Sequence, residues 1–279
     1  MEPKIKIEHL GKDFFSRRQT IKALDDVNME FAPGEFVSIV GPSGCGKSTI
    51  IRMIDDLIKP TSGSITIDGF TYDNKKEIPQ SFVKKLGFIF QLPNLYPWLT
   101  VRQNLYLPLK VYGMMDSEHV HHVEDLLEMA NLTEVGNVYP NQISGGTTQR
   151  IGVIRGMVHK PEMLMMDEPF GALDDETREK LNMEILNIWK QTGMTIIFIT
   201  HNVSEAVLMS QRVYVMQANP GHVKAEVKIK FNEERSLELQ HTKKFINYCN
   251  QIEELIGKVD LNDVVQKKNR SLYVSKDKQ

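Results

Sequence analysis

Cysteine is scarce in this sequence, with only Cys45 and Cys249 among 279 residues. That excludes a disulfide-rich scaffold and fits a reducing compartment. Long apolar runs are missing too: the stretches 194–200 and 163–166 fall far short of the about 20 residues that cross a bilayer. No membrane span is expected. Nor does charge of one sign dominate, since Lys plus Arg (34) nearly balances Asp plus Glu (36) for a formal net charge of -2. Such a balance argues against a dedicated nucleic-acid binder. The opening MEPKIKIEHL lacks the basic-then-apolar layout of a secretory signal. There is no internal repeat or low-complexity segment. The length suffices for one large domain or two small lobes.

Short β-type runs at 5–7, 27–31, 36–40, 64–68 and 86–90 crowd the first third, with a Gly-rich turn after Val40. Between 100 and 160 the apolar residues fall at helical spacing, as in Val123, Leu126, Leu127 and Ala130, which predicts a mostly helical insertion. Buried-strand runs at 163–167, 195–200 and 213–217 then alternate with helical stretches at 175–192 and 203–210. That order predicts an α/β fold with a parallel sheet. From Asn232 the composition turns polar, and Phe245, Ile246, Cys249, Ile252, Leu255 and Ile256 form one helical stripe ahead of a lysine-bearing tail.

Gly41-Pro42-Ser43-Gly44-Cys45-Gly46-Lys47-Ser48-Thr49 fits G-x-x-x-x-G-K-[ST] between a predicted strand and a helical stretch. Glycines let successive N–H groups turn inward around phosphates, Lys47 adds a point charge, and the helix start adds its dipole. Ser48 offers a hydroxyl to Mg²⁺. Cys45, at a helix start among N–H groups, is expected to have a lowered pKa and to be shielded by bound phosphates. By itself the loop specifies a nucleoside triphosphate and nothing narrower.

The run 163–167 ends in the carboxylates Asp167 and Glu168, and α/β folds bind ligands at the carboxyl ends of their strands. Neighbouring side chains on a strand diverge, which lets Asp167 serve the Mg²⁺ shell while Glu168 acts as base toward the attacking water. The strand-like run that starts at Thr195 delivers His201 to the same edge, as a candidate γ-phosphate sensor, and Gln91 follows the run 86–90 with an amide for Mg²⁺ or the water. Each alone reads as an ordinary surface residue; their shared placement at strand ends is what counts.

A second helix start lies in Ile143-Ser144-Gly145-Gly146-Thr147-Thr148-Gln149-Arg150. Its serine suits either N-capping or phosphate contact. Taken together, the phosphate loop, Gln91, ISGGTTQR, Asp167-Glu168, Gly171-Ala172-Leu173-Asp174 and His201 resemble, in identity and order, the ATP-binding cassette of ABC transporters over residues 3–230. The resemblance implies a P-loop cassette with an N-terminal antiparallel β subdomain, a parallel catalytic sheet flanked by helices, and a helical insertion. It divides the chain into a cassette, 1–231, with a helical subdomain at about 92–160, and a C-terminal helical extension with a polar tail, 232–279.

The same resemblance implies two cassettes, as a homodimer or paired subunits, around two ATP molecules. Ser144, Gly145 and Gly146 of one would cap the nucleotide held by Lys47 of the other, Asp174 would link the two sites, and Phe14 would stack on adenine. Residues 96–100, 166–174 and 216–221 look like the nitrate, sulfonate and taurine import branch. That branch implies two permease subunits, an extracytoplasmic solute-binding protein, and a peripheral place on the cytoplasmic face of the membrane. Leu95, Tyr96 and Trp98 are candidate permease contacts, with the insertion's core as the alternative for Trp98.

The pattern departs from the family at Ile143, Thr147 and Thr148, and at Gly152, Ile154 and Gly156 where alanines are common. Altered coupling or rate is expected there. A soluble ABC ATPase of translation or chromosome maintenance is disfavoured: the chain has one cassette and no long heptad insertion. A regulatory subunit that binds ATP without hydrolysing it is disfavoured by Glu168 and His201.

Overall fold

The computed structural model describes residues 2–16, 19–171 and 173–257. Ala172 and the polar tail from 258 onward, both part of the sequence reading, lie outside the described residues. Two sheets organise the described residues. The first is antiparallel and runs β2(Thr20–Phe31), β1(Ile5–Phe15), β4(Ser62–Ile67), β5(Phe70–Tyr72) across its width. The second has the order β10(His222–Lys228), β9(Arg212–Gln217), β3(Phe36–Val40), β8(Thr195–Ile199), β7(Met163–Asp167), β6(Leu86–Ile89). Its strands pair in parallel except β10, which returns antiparallel to β9.

Strands β3, β7 and β8 are buried at every position, so their near-continuous apolar runs are what a sheet covered on both faces requires. Successive side chains leave on opposite faces. Accordingly Met163, Met165, Ile197 and Ile199 join one core with Ile5, Ile7, Ile50 and Ile51, which places α1(Lys47–Ile54) and the antiparallel sheet on that face. Leu164, Met166, Ile196 and Phe198 join the other core, shared with Leu105, Leu127, Ile151 and Leu186 of α3(Val101–Tyr112), α4(Ser117–Met129), α5(Gly145–Arg155) and α6(Asp175–Thr192).

The helices of the insertion carry their own start signals. Thr100 and Gln103 form a reciprocal capping box on α3, and the side chains of Asp116 and Ser144 accept backbone N–H groups at the starts of α4 and α5. α3 ends at Gly113, whose φ of 69° takes the left-handed form that closes a helix. A third core joins α7(Val203–Met209) and β9 to α8(Lys243–Gly257) through Phe245 and Ile252. Ile246, placed in the same stripe by periodicity, is instead 47% exposed. β5 and β10 are absent from the sequence reading, and the runs at 5–7 and 27–31 prove to be parts of much longer strands.

Candidate functional site: a phosphate cradle and an acid pair

The predicted strands β3, β7 and β8 are parallel neighbours, so Gly41, Asp167 and His201 emerge at one edge of the sheet. Between β3 and α1 the loop from Gly41 to Gly46 turns back on itself. Gly46, the residue before α1, has φ of 94°, and a Cβ there would lie 2.4 Å from Leu24 Cδ2; only glycine fits. Leu24 is in turn bridged to Gly221, with Asp25 N donating to Gly221 O and Gly221 N to Ala23 O, both at 2.9 Å. Gly221 packs so closely that a Cβ would meet Cys45 O at 2.1 Å. The loop is thus clamped between β2 and the turn joining β9 to β10.

Lys47 is 6% exposed and donates from Nζ to Gly41 O at 2.8 Å and Pro42 O at 3.2 Å. Its ammonium is therefore held over the loop's own backbone, where phosphate oxygens would compete for it. Ser43 and Gly44 are exposed at the loop's tip, and Thr49 is half-buried on α1. Cys45 corrects the sequence expectation: its side chain is fully buried, and burial pushes the thiol pKa up despite nearby Lys47. Its contribution to the cradle is backbone, and a lowered pKa does not occur.

Ser48 Oγ donates to Asp167 Oδ1 at 2.7 Å. Burial raises the pKa of Asp167, an effect the Ser48 bond partly offsets, so a cation beside this carboxylate would relieve its desolvation. A hydroxyl and a carboxylate are the hard oxygen donors Mg²⁺ takes, and with so few protein ligands the remaining positions would fall to phosphate oxygens and water. Among the described residues no cluster of three or more His, Cys, Asp or Glu could hold a metal.

Glu168 sits one residue beyond β7 with φ of 48°, a left-handed backbone uncommon outside glycine. Its N–H donates to Ile199 O at 3.0 Å and its carbonyl accepts from Gly171 N at 3.2 Å, bonds that hold this costly geometry. The carboxylate meets two of the predicted residues: Gln91 Nε2 at 3.5 Å and His201 Nδ1 at 3.4 Å from the same Oε2.

Behind His201 lies a network that the sequence reading missed. Thr200 Oγ1 donates to Glu205 Oε2 at 2.5 Å, Arg178 Nε is 3.4 Å from Glu205 Oε1, and the Asn202 side chain caps α7 by accepting Glu205 N–H at 3.2 Å. Burial raises the Glu205 pKa, with the Thr200 bond opposing it. Gln149, quoted above within ISGGTTQR but given no role there, is buried: its Nε2 donates to Gln91 O at 3.3 Å and to Pro169 O.

The remaining predicted residues lie apart from this cluster. Ser144 and Gly145 are exposed and Gly146 is half-buried, and no hydrogen bond among the described residues joins them to the phosphate loop of their own chain. Asp174 caps α6, with Oδ1 accepting Thr177 N–H at 2.9 Å, a bond that holds its carboxyl below the usual range. Phe14 is exposed on β1 with Lys12 Nζ 5.3 Å from the ring centroid, so it is not core. Trp98 and Tyr96 are exposed too, with rings 5.2 Å apart, while Leu95 packs inward. A cavity of about 570 Å³ lined by Leu126, Met157, Ile188 and Met194 opens at the opposite end of β7 and β8, away from the phosphates.

The family model described as ABC transporter matches residues 24–171. The chain is 36% identical to the nitrate import ATP-binding protein of Synechocystis, over 90% of this chain and 94% of that one. It is 38% identical to the taurine import ATP-binding protein of Pelagibacter ubique, over 85% and 88%. A bacterial ABC transporter cassette solved as a dimer superposes with a TM-score of 0.74 at 35% identity, covering 81% of this chain and 99% of that one. The same cassette has been solved in a post-hydrolysis state bound to ADP and Pi. By the family model over more than half of its length and by these relatives, the chain belongs to the ABC transporter family, as an ATP-binding subunit whose activity is ATP hydrolysis.

Proposed function

We propose that this chain powers an importer of a small solute of the nitrate, sulfonate or taurine kind, closing as a pair of cassettes around two ATP molecules and acting on separate membrane subunits. The observation that carries the reading is the division of the site. Lys47, Ser48, Asp167, Glu168, Gln91 and His201 converge within one chain, whereas the Ser144 helix start faces solvent. An exposed helix N-terminus with free N–H groups suits an anion brought by another molecule. In the proposed pair, Ser144, Gly145 and Gly146 meet the phosphates of the opposing cassette and Asp174 lies near the junction.

The loop Gly41–Thr49 holds the phosphates through backbone N–H groups and Lys47, and Phe14 stacks on the base. Ser48, Asp167 and Gln91 would hold Mg²⁺, and the ion would supply positive charge beside the phosphates. Glu168 accepts the proton of the attacking water, and Gln91 and His201, both directed at its Oε2, orient that carboxylate and the water. The cassette spans 1–231, with 92–160 as the helical insertion and 232–279 as an extension. Among the described residues no helix is long and apolar enough to cross a membrane, which suits a peripheral subunit on the cytoplasmic face. The solute would be chosen by the permease and an extracytoplasmic binding protein.

The test separates binding from hydrolysis. Lys47→Ala removes charge-assisted phosphate contacts of about 1.5–3 kcal/mol each, and should weaken ATP binding and turnover together. Glu168→Gln keeps the shape but loses proton-accepting power, so turnover should fall about 10²–10⁴-fold while ATP binding persists and an ATP-dependent dimer accumulates in light scattering. Unchanged hydrolysis by Glu168→Gln would remove it as the base.

A further inference from the structure

We propose that Thr147 sets the direction of the Ser144 hydroxyl proton, and so acts as a positioning residue for the nucleotide phosphate of the opposing cassette; this rests on the reading of Ser144 given above. Ser144 Oγ accepts Thr147 N–H at 3.2 Å and lies 2.9 Å from Thr147 Oγ1. A serine hydroxyl has one proton and two acceptor lone pairs. When Thr147 Oγ1 donates, both lone pairs are filled from the helix side and the Ser144 proton is left pointing outward. In the reverse arrangement Ser144 gives its proton to Thr147 and presents only a lone pair, which repels a phosphate oxygen.

An anion in front of the helix therefore selects the first arrangement. It forms a chain from Thr147 hydroxyl to Ser144 hydroxyl to phosphate, in which each bond polarises the next. The local geometry favours this role. Ser144 is exposed and Thr147 is half-buried, and among the described residues the Thr147 hydroxyl has no hydrogen-bond partner but Ser144. Thr148 fixes the same residue from its backbone side, donating from both N and Oγ1 to Ser144 O at 2.9 Å. The two threonines that depart from the family pattern thus support the serine that keeps it.

The experiment measures ATPase of the full chain against chain concentration, alongside ATP affinity at low chain concentration, for Thr147→Val, Thr147→Ser, Ser144→Ala and the double change Ser144→Ala with Thr147→Val. Loss of one neutral hydrogen bond in the closed pair should raise the chain concentration for half-maximal turnover about five- to tenfold in Thr147→Val. ATP affinity, set by Lys47, should stay put. Thr147→Ser should restore the parent value, and the double change should be no worse than Ser144→Ala alone. If Ser144→Ala is impaired while Thr147→Val matches the parent, or if the two losses multiply, or if Thr147→Ser is as poor as Thr147→Val, the positioning role is wrong and the Ser144 reading stands. If Ser144→Ala itself matches the parent, the Ser144 reading fails and the proposal with it.

Discussion

Asp55 ends α1, the helix that begins at the phosphate loop, and among the described residues it has no cationic partner. Burial, then the neighbouring Asp56, pushes its carboxyl up to about 7 from an ordinary 3.8. The helix C-terminus adds an unfavourable dipole, and Asp56 keeps Lys59 for itself at 2.7 Å. Between those two pH values the folded chain binds a proton that the unfolded chain does not, so this residue's contribution falls as pH rises from about 4 to about 7. Asp55→Asn should stabilise the protein at pH 8 by on the order of 2 kcal/mol, half the full linkage value because the carboxyl is partly open to water. Near pH 4 the gain should vanish; equal gains in denaturant melts at both pH values would refute the assignment. Such a residue is invisible in sequence, as is the backbone of Glu168, because both depend on what surrounds them. The placement of Lys47, Ser48 and Asp167 at one edge of the sheet was legible because the strand and helix patterns on either side of them are strong.

At the scale of elements, β3, β7 and β8 were readable because burial on both faces leaves uninterrupted apolar runs. β10 was not: it is a half-exposed edge strand, and its mixed residues HVKAEVK resemble a loop until β9 pairs with it. The start of α5 shows what lies between elements. Gln149 is 3% exposed and ties that helix to the backbone of Gln91 and to Pro169, which follows the acid pair. Gln149→Leu keeps the volume but leaves the Pro169 carbonyl without its donor, at a cost of about 1–3 kcal/mol. Because Gln91 and Glu168 would then drift relative to one another, kcat should drop by about 10- to 100-fold with little change in ATP affinity. A KM effect alone, with kcat intact, would show that Gln149 serves only the fold.

For the whole molecule, Phe90, Leu92, Tyr96 and Trp98 lie exposed within one short stretch of chain between β6 and α3. Trp98, 69% exposed, is not core, which removes the alternative weighed from sequence. An aromatic anchor truncated in an interface commonly costs 2 kcal/mol or more. Trp98→Ala should therefore weaken assembly with the membrane subunits at least about 10-fold, while ATPase of the separate chain stays unchanged; intact assembly in pull-downs would place the interface elsewhere. Finally, the clamp on the phosphate loop joins residues made early to one made late, since Gly221 closes over Cys45 and Leu24. During synthesis the loop motif leaves the ribosome long before its clamp does. A nascent chain carrying the complete loop thus lacks the contacts that clamp Cys45 and Leu24 until the β9–β10 turn has emerged.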